Sequence, residues 1–158
     1  MKEYLLSKLF SSIKTWKRSY FDFSQLGEEK IIFNIIQRIT ANRKINQCYI
    51  DIGGFNPIFF SNTYKLYQKN WSGVIVEANK NKTKQWHKIR PRDLIINSAL
   101  VTEDYNKDTI KIFYEKKNDA DETAFPINKD SKPNFFKVKT IKFNEIINIC
   151  EEKYARPF

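Results

Sequence analysis

Residues 48–77 constrain what this chain can fold into more than any other stretch, because they read strand, glycine corner, helix, strand, acid. Cys48, Tyr49, Ile50, Asp51 and Ile52 form a short apolar run carrying one acid, and Gly53-Gly54 follows at once. Asn56-Pro57 then breaks the chain, residues 61–68 suit a helix, and Val74, Ile75 and Val76 form a second buried run closed by Glu77. A β-α-β unit of this kind joins two parallel strands, and ligands bind in the crevice outside the strands' carboxyl ends.

The flanking sequence supplies further α/β elements. A helix is expected to start near Asp22 or Ser24, both good N-caps, and to run through Ile31, Ile32, Ile35, Ile36 and Ile39 with that stripe on the sheet. Asn79 can cap a helix that contains Trp86 and His87 and ends at Pro91. Leu94, Ile95 and Ile96 predict a third buried strand ending at Asn97-Ser98-Ala99. Residues 109–114 and 135–141 alternate as strands do, residues 115–133 form a polar excursion, and residues 144–150 suit a helix with Ile146, Ile147 and Ile149 inward. His87, among Lys84, Lys88 and Arg90 with no carboxylate to orient it, is expected on the surface.

Residues 1–20 place Leu5, Leu6, Leu9, Phe10, Ile13 and Trp16 at helical spacing between Lys2, Lys8, Lys14, Lys17 and Arg18. This predicts a separate N-terminal amphipathic helix. Packing on the domain or on a partner suits it better than peripheral membrane contact, because one short helix with few basic residues holds a bilayer only marginally.

The length, 158 residues, fits one domain over residues 21–158 beyond that helix. No apolar run approaches the roughly 20 residues of a membrane-spanning helix, so a cytoplasmic location is the default expectation. A net charge of +10 invites a nucleic-acid reading. Lysine is spread along the whole chain and no nucleic-acid motif focuses it, so no specific nucleic-acid partner is expected. Cys48 and Cys150 lack CxxC spacing and a companion histidine, which makes them reduced packing residues and leaves no metal site.

Two ligands compete for the central corner. A dinucleotide needs GxGxxG so that its pyrophosphate can approach the backbone, but Phe55, Asn56 and Pro57 follow Gly53-Gly54 here. S-adenosylmethionine has no phosphate; it needs a glycine turn for close approach and an acid after the second strand for its ribose hydroxyls. Glu77 stands at that place, 26 residues after Asp51. Taken alone, the same residues also suit a plain tight turn and a surface carboxylate.

Together, the segments Ser24-Gln25-Leu26-Gly27-Glu28-Glu29, Tyr49-Ile50-Asp51-Ile52-Gly53-Gly54, Trp71-Ser72-Gly73, Val76-Glu77-Ala78-Asn79 and Asn97-Ser98-Ala99 resemble, in order and spacing, the FkbM family of S-adenosylmethionine-dependent methyltransferases. Ser61-Asn62-Thr63-Tyr64-Lys65-Leu66-Tyr67 fits the same series. The resemblance implies a Rossmann-like class I methyltransferase sheet, here its N-terminal half with strands in 3-2-1 order, flanking helices and an added strand-loop excursion. It implies S-adenosyl-L-methionine as cofactor and a small-molecule or glycan acceptor, methylated on a hydroxyl of a sugar or polysaccharide precursor.

By the same resemblance, Asp51, Gly53 and Gly54 would hold the methionine moiety, and Glu77, with Ala78 beside it, the ribose. Asn97, Ser98 and Ala99 would lie by the adenine, with Gln25 and Ser61 at the pocket mouth. Phe55 stands where many members have a small or polar residue. Members continue into a fourth core strand with an Asp-x-Glu-Gly motif that is not found here, so the first strand is expected to carry an open edge. The alternative expectation is therefore a catalytically incomplete remnant or subunit that binds cofactor or pairs with another chain completing the sheet. No catalytic base is assigned.

Overall fold

A computed structural model describes residues 22–42, 44–115, 118–123 and 134–154; the helix expected over residues 1–20 lies outside them. In chain order the elements are α1 (Glu28–Thr40), β1 (Cys48–Ile52), α2 (Tyr64–Gln68), β2 (Ser72–Val76), α3 (Lys80–Ile89), β3 (Leu94–Ile96), β4 (Ala99–Val101), β5 (Thr109–Glu115), β6 (Asn118–Thr123), β7 (Asn134–Lys142) and α4 (Phe143–Tyr154). The class is α/β. β1, β2 and β3 form a parallel sheet in that spatial order, while a mixed sheet runs β4-β7-β5-β6.

β2 lies at the centre of the parallel sheet and is covered on both faces, which is why its sequence is a continuous apolar run. On one face Ile75 packs with Tyr49, Leu66, Trp71 and Trp86, backed by Ile32, Phe33 and Ile36 of α1. On the other, Val74 and Val76 pack with Ile141, Ile146 and Cys150, so β7 and α4 close that side. Burial raises the thiol pKa of both cysteines, Cys150 to about 11, and both are free, in keeping with packing roles. Among the described residues β1 has one strand neighbour, β2. None of their helices is long and apolar enough to cross a membrane.

The structure corrects the start of α1. Asp22 and Ser24 are used in a turn instead: Ser24 donates its backbone N–H and its hydroxyl to Asp22 Oδ1. Gly27, at φ +93°, then redirects the chain into the helix. Ser24 Oγ still accepts from Gly27 N and Glu29 N at 3.1 and 3.2 Å, so it caps α1 from outside the helical frame. Only one of the two adjacent isoleucine columns can face the sheet. Ile32 and Ile36 do, beside the buried Glu29 and its partner Lys65, and Ile31 and Ile35 remain exposed.

α3 is capped by Asn79, whose side chain accepts from Asn81 N, and His87 on it is exposed, as the sequence predicts. α2 is shorter than expected, because Ser61 and Thr63 bond to side chains across the loop. Ala99 opens β4 rather than closing β3. Part of the polar excursion, Asn118–Thr123, is the strand β6, where pairing to β5 overrides a sequence of low strand propensity.

Gly73 sits opposite Tyr49 in the β1–β2 register, and a Cβ there would lie 2.2 Å from both the Tyr49 ring and its carbonyl oxygen. Backbone cannot yield to such a contact without parting the strands. Gly73→Ala should therefore lower unfolding free energy by at least about 2 kcal/mol in urea denaturation, against under about 1 kcal/mol for an ordinary surface change.

Candidate functional site

The site forms where β1 and β2 end side by side. Ile52 pairs with Val76, so Gly53 follows at the level of Glu77. Gly53 takes φ +75°, which a residue with a side chain adopts only under strain, and nothing lies within 4 Å of where its Cβ would be. Gly54 is required for a different reason: a Cβ would meet Ile75 at 2.6 Å and Trp86 at 2.9 Å. The corner is pinned to the second strand, with Gly53 N and Gly54 N donating to the Val76 carbonyl at 2.9 and 3.5 Å.

Residues after β3 complete this end of the sheet. Asn97 Nδ2 donates to the carbonyls of Glu77 and Ala78, 2.8 Å each, and Glu77 N donates to Ile96 O. Gly53, Gly54, Glu77, Ala78 and Asn97 are thus brought together. The Glu77 side chain is buried, and its Oε1 accepts from Asn79 N at 2.6 Å, which fixes the loop entering α3. Ser98 is buried in a turn made by its N–H on Ile96 O, and Ala99 leaves with β4. Gln25 is exposed in the turn before α1, whereas Ser61 is buried and bonded to Arg90.

Beneath the corner lies a polar cluster that sequence reasoning missed. Arg90 has no exposed surface; its Nε donates to Asp93 at 2.7 Å and its Nη2 to Tyr49 Oη at 2.5 Å and Thr63 Oγ1 at 3.0 Å. Its Nη1 donates to Ser61 Oγ at 3.2 Å and, more distantly, to Pro57 O. The guanidinium also lies against the rings of Trp86, Tyr67 and Tyr49, 4.5 to 5.3 Å from their centroids. Asp93 accepts further from Tyr49 Oη and Gly73 N. Thr63 donates to Asp51 Oδ2 at 2.5 Å, which ties the cluster to the site.

Arg90 escaped notice because it ends a helix rich in exposed lysine, where a charge reads as solvated. One signal was available. Tyr49 and Asp51 alternate onto one face of β1, and a buried face with an acid and a phenol needs a donor.

Burial pushes the Asp51 carboxyl above its ordinary range, against the lowering influence of the Thr63 hydrogen bond and the Arg90 charge. Burial likewise raises Tyr49. Among the described residues no group of three His, Cys, Asp or Glu side chains is placed to hold a metal.

Among the described residues, a hollow lies near each end of the parallel sheet. One of about 480 Å³ opens directly after the glycine corner, walled by Phe55, Asn56, Phe59, Phe60, Asp22 and Lys82. Asn56 Oδ1 accepts from Ile58 N and Phe59 N, and Ser61 N donates to Phe23 O, so this loop is braced on both sides. Phe60 is held at φ +58° with its side chain largely exposed. The larger hollow, about 660 Å³ between Gln47, Cys48, Trp71 and Tyr154, lies at the amino end of β1. That is the opposite end from the one where parallel sheets of this kind bind ligands.

Asp93, buried, and Asp51, half-buried, should respond differently to substitution. Asp93→Ala leaves Arg90 buried without its counter-charge and should cost about 3–5 kcal/mol. Asp51 behaves oppositely: with a folded pKa above its unfolded value, its contribution turns unfavourable as pH rises from the unfolded to the folded pKa. Asp51→Asn should therefore match or exceed the wild type in stability at neutral pH, its advantage growing with pH through that window, as pH-resolved urea denaturation will show. Comparison of the chain with models of known families, with curated proteins and with solved structures finds no match.

Proposed function

We propose that this chain is an S-adenosylmethionine-dependent methyltransferase of the FkbM kind, built on a Rossmann-like class I sheet and acting on a hydroxyl of a sugar or polysaccharide precursor. One observation carries the reading: a glycine corner, an acid after the second strand and an asparagine after the third converge at the carboxyl end of one parallel sheet. The ordered motifs of the sequence support it; the comparisons with known proteins add nothing.

The residues present suit such a cofactor in type and position. Gly53 leaves open space for close approach to the backbone. Among the described residues Asp51 Oδ1 has no hydrogen-bond partner, which leaves it to accept from an ammonium group. Glu77 would turn from Asn79 N toward the ribose hydroxyls, and Asn97, Ser98 and Ala99 would border the adenine. When bound, S-adenosylmethionine supplies an electrophilic methyl group on a sulfonium. What the chain contributes is position: displacement at that methyl needs the acceptor oxygen in line. The aromatic walls beside the corner offer an apolar bed for an acceptor ring.

A second reading, in which the chain works by pairing with another polypeptide, is favoured by the outer edge of β1. Its backbone faces no strand among the described residues, and Ile52 is exposed.

Calorimetry with S-adenosylmethionine tests the first reading. Glu77→Ala should weaken binding roughly 10- to 100-fold, the worth of hydrogen bonds to a charged group. Equal affinity in both proteins removes Glu77 from the site, and no binding in either removes the cofactor.

A further inference from the structure

We infer that Arg90 and Thr63 form a polarised hydrogen-bond relay that fixes how Asp51 receives a cationic ligand, with Thr63 as the positioning residue. The inference rests on the proposal that Asp51 faces the ligand.

Its basis is the direction in which protons must point. A guanidinium carries donors only, so both hydroxyls that meet Arg90 Nη2 must accept from it, Tyr49 at 2.5 Å and Thr63 at 3.0 Å. Each hydroxyl then has one proton to give onward. Tyr49 gives its proton to Asp93, whose two oxygens lie at 2.9 and 3.0 Å. For Thr63 the near acceptor is Asp51 Oδ2 at 2.5 Å, while Ser61 Oγ stands off at 3.5 Å.

Arg90 cannot swing away to release this order, being without exposed surface, bonded to Asp93 and enclosed by three rings. Oδ2 of Asp51 is therefore committed to Thr63. Oδ1 is the oxygen that carries either a proton or a ligand cation.

The charged groups facing Asp51 are Arg90, from the end of α3, and Asp93, from the turn before β3. They act in opposite senses, and the Thr63 hydroxyl on α2's N-terminal side adds to the Arg90 effect. Burial favours the proton on Oδ1, and the relay favours its loss. A cation arriving at Oδ1 displaces that proton to solvent, so affinity for an ammonium-bearing ligand rises with pH through the Asp51 titration. The relay sets where that rise begins.

The test follows the Asp51 carboxyl carbon by NMR against pH in ¹³C-aspartate-labelled protein without ligand, for wild type, Thr63→Ser and Thr63→Val. Thr63→Val should move the midpoint upward by about one pH unit, the scale of a lost hydrogen bond to the charged form. Thr63→Ser, which keeps the hydroxyl, should stay within a few tenths of the wild type. Coincident midpoints in wild type and Thr63→Val, or an equal shift in Thr63→Ser, overturn the relay.

Should Thr63→Val fail to fold, the wild type decides. Its Asp51 carboxyl carbon must show a hydrogen–deuterium isotope shift from one bonded hydroxyl proton, and none overturns the relay. These readings need no cofactor, so a failure to bind S-adenosylmethionine would count against the proposed function and not against the relay.

Discussion

A guanidinium with no exposed surface holds this architecture in register. Arg90 leaves the end of α3 and meets partners from β1, the loop after the glycine corner and the turn before β3. Taking such a charge out of water is costly, and only a near-complete set of acceptors offsets it. The cluster supplies that set: one carboxylate, three hydroxyls and a carbonyl, with aromatic faces around them. The strand end that leads into Gly53-Gly54 is thus tied to the cluster through Thr63 and Asp51, and the corner itself to the second strand through the Val76 carbonyl. A ligand at the carboxyl end of the sheet would meet a preformed floor rather than a mobile loop.

The same arrangement explains why the neighbouring acids differ. Asp93 is satisfied several times over, by Arg90, Tyr49 and Gly73 N, and works for the fold. Asp51 is half-buried against its preference, with a single hydroxyl on one oxygen. An acid that costs stability where it stands is a candidate for function, since a carboxylate kept only for packing could be replaced without loss. Glu77 lies between these cases, buried and bonded to the loop it introduces.

Much of the parallel sheet was legible in the sequence because each strand carries a short, largely apolar run between turn residues. Cys48–Ile52, Leu94–Ile96 and the Asn79 cap of α3 stand where the pattern puts them. The start of α1 was not legible. Ser24 and Asp22 are capping types, yet the left-handed Gly27 decides where the helix begins, and a glycine's φ is invisible in a sequence. The direction of α1 was ambiguous for another reason: two isoleucine columns compete, and the buried Glu29, paired with Lys65, accompanies only one of them. Arg90 was hidden by its lysine-rich neighbours. Strand β6 depends on its antiparallel pairing with the adjacent β5, which its own low strand propensity opposes.

The candidate site was legible as residue types in order, and its geometry only in part. Gly53, Gly54, Glu77, Ala78 and Asn97 do meet, but Ser61 belongs to the buried cluster. Amide chemical-shift mapping during titration with S-adenosylmethionine tests the central claim most directly. The account predicts shifts concentrated at Gly53, Gly54, Glu77, Ala78 and Asn97. Shifts confined to Gln47, Cys48 and Trp71 at the amino end of β1, or none at saturating ligand, would contradict it.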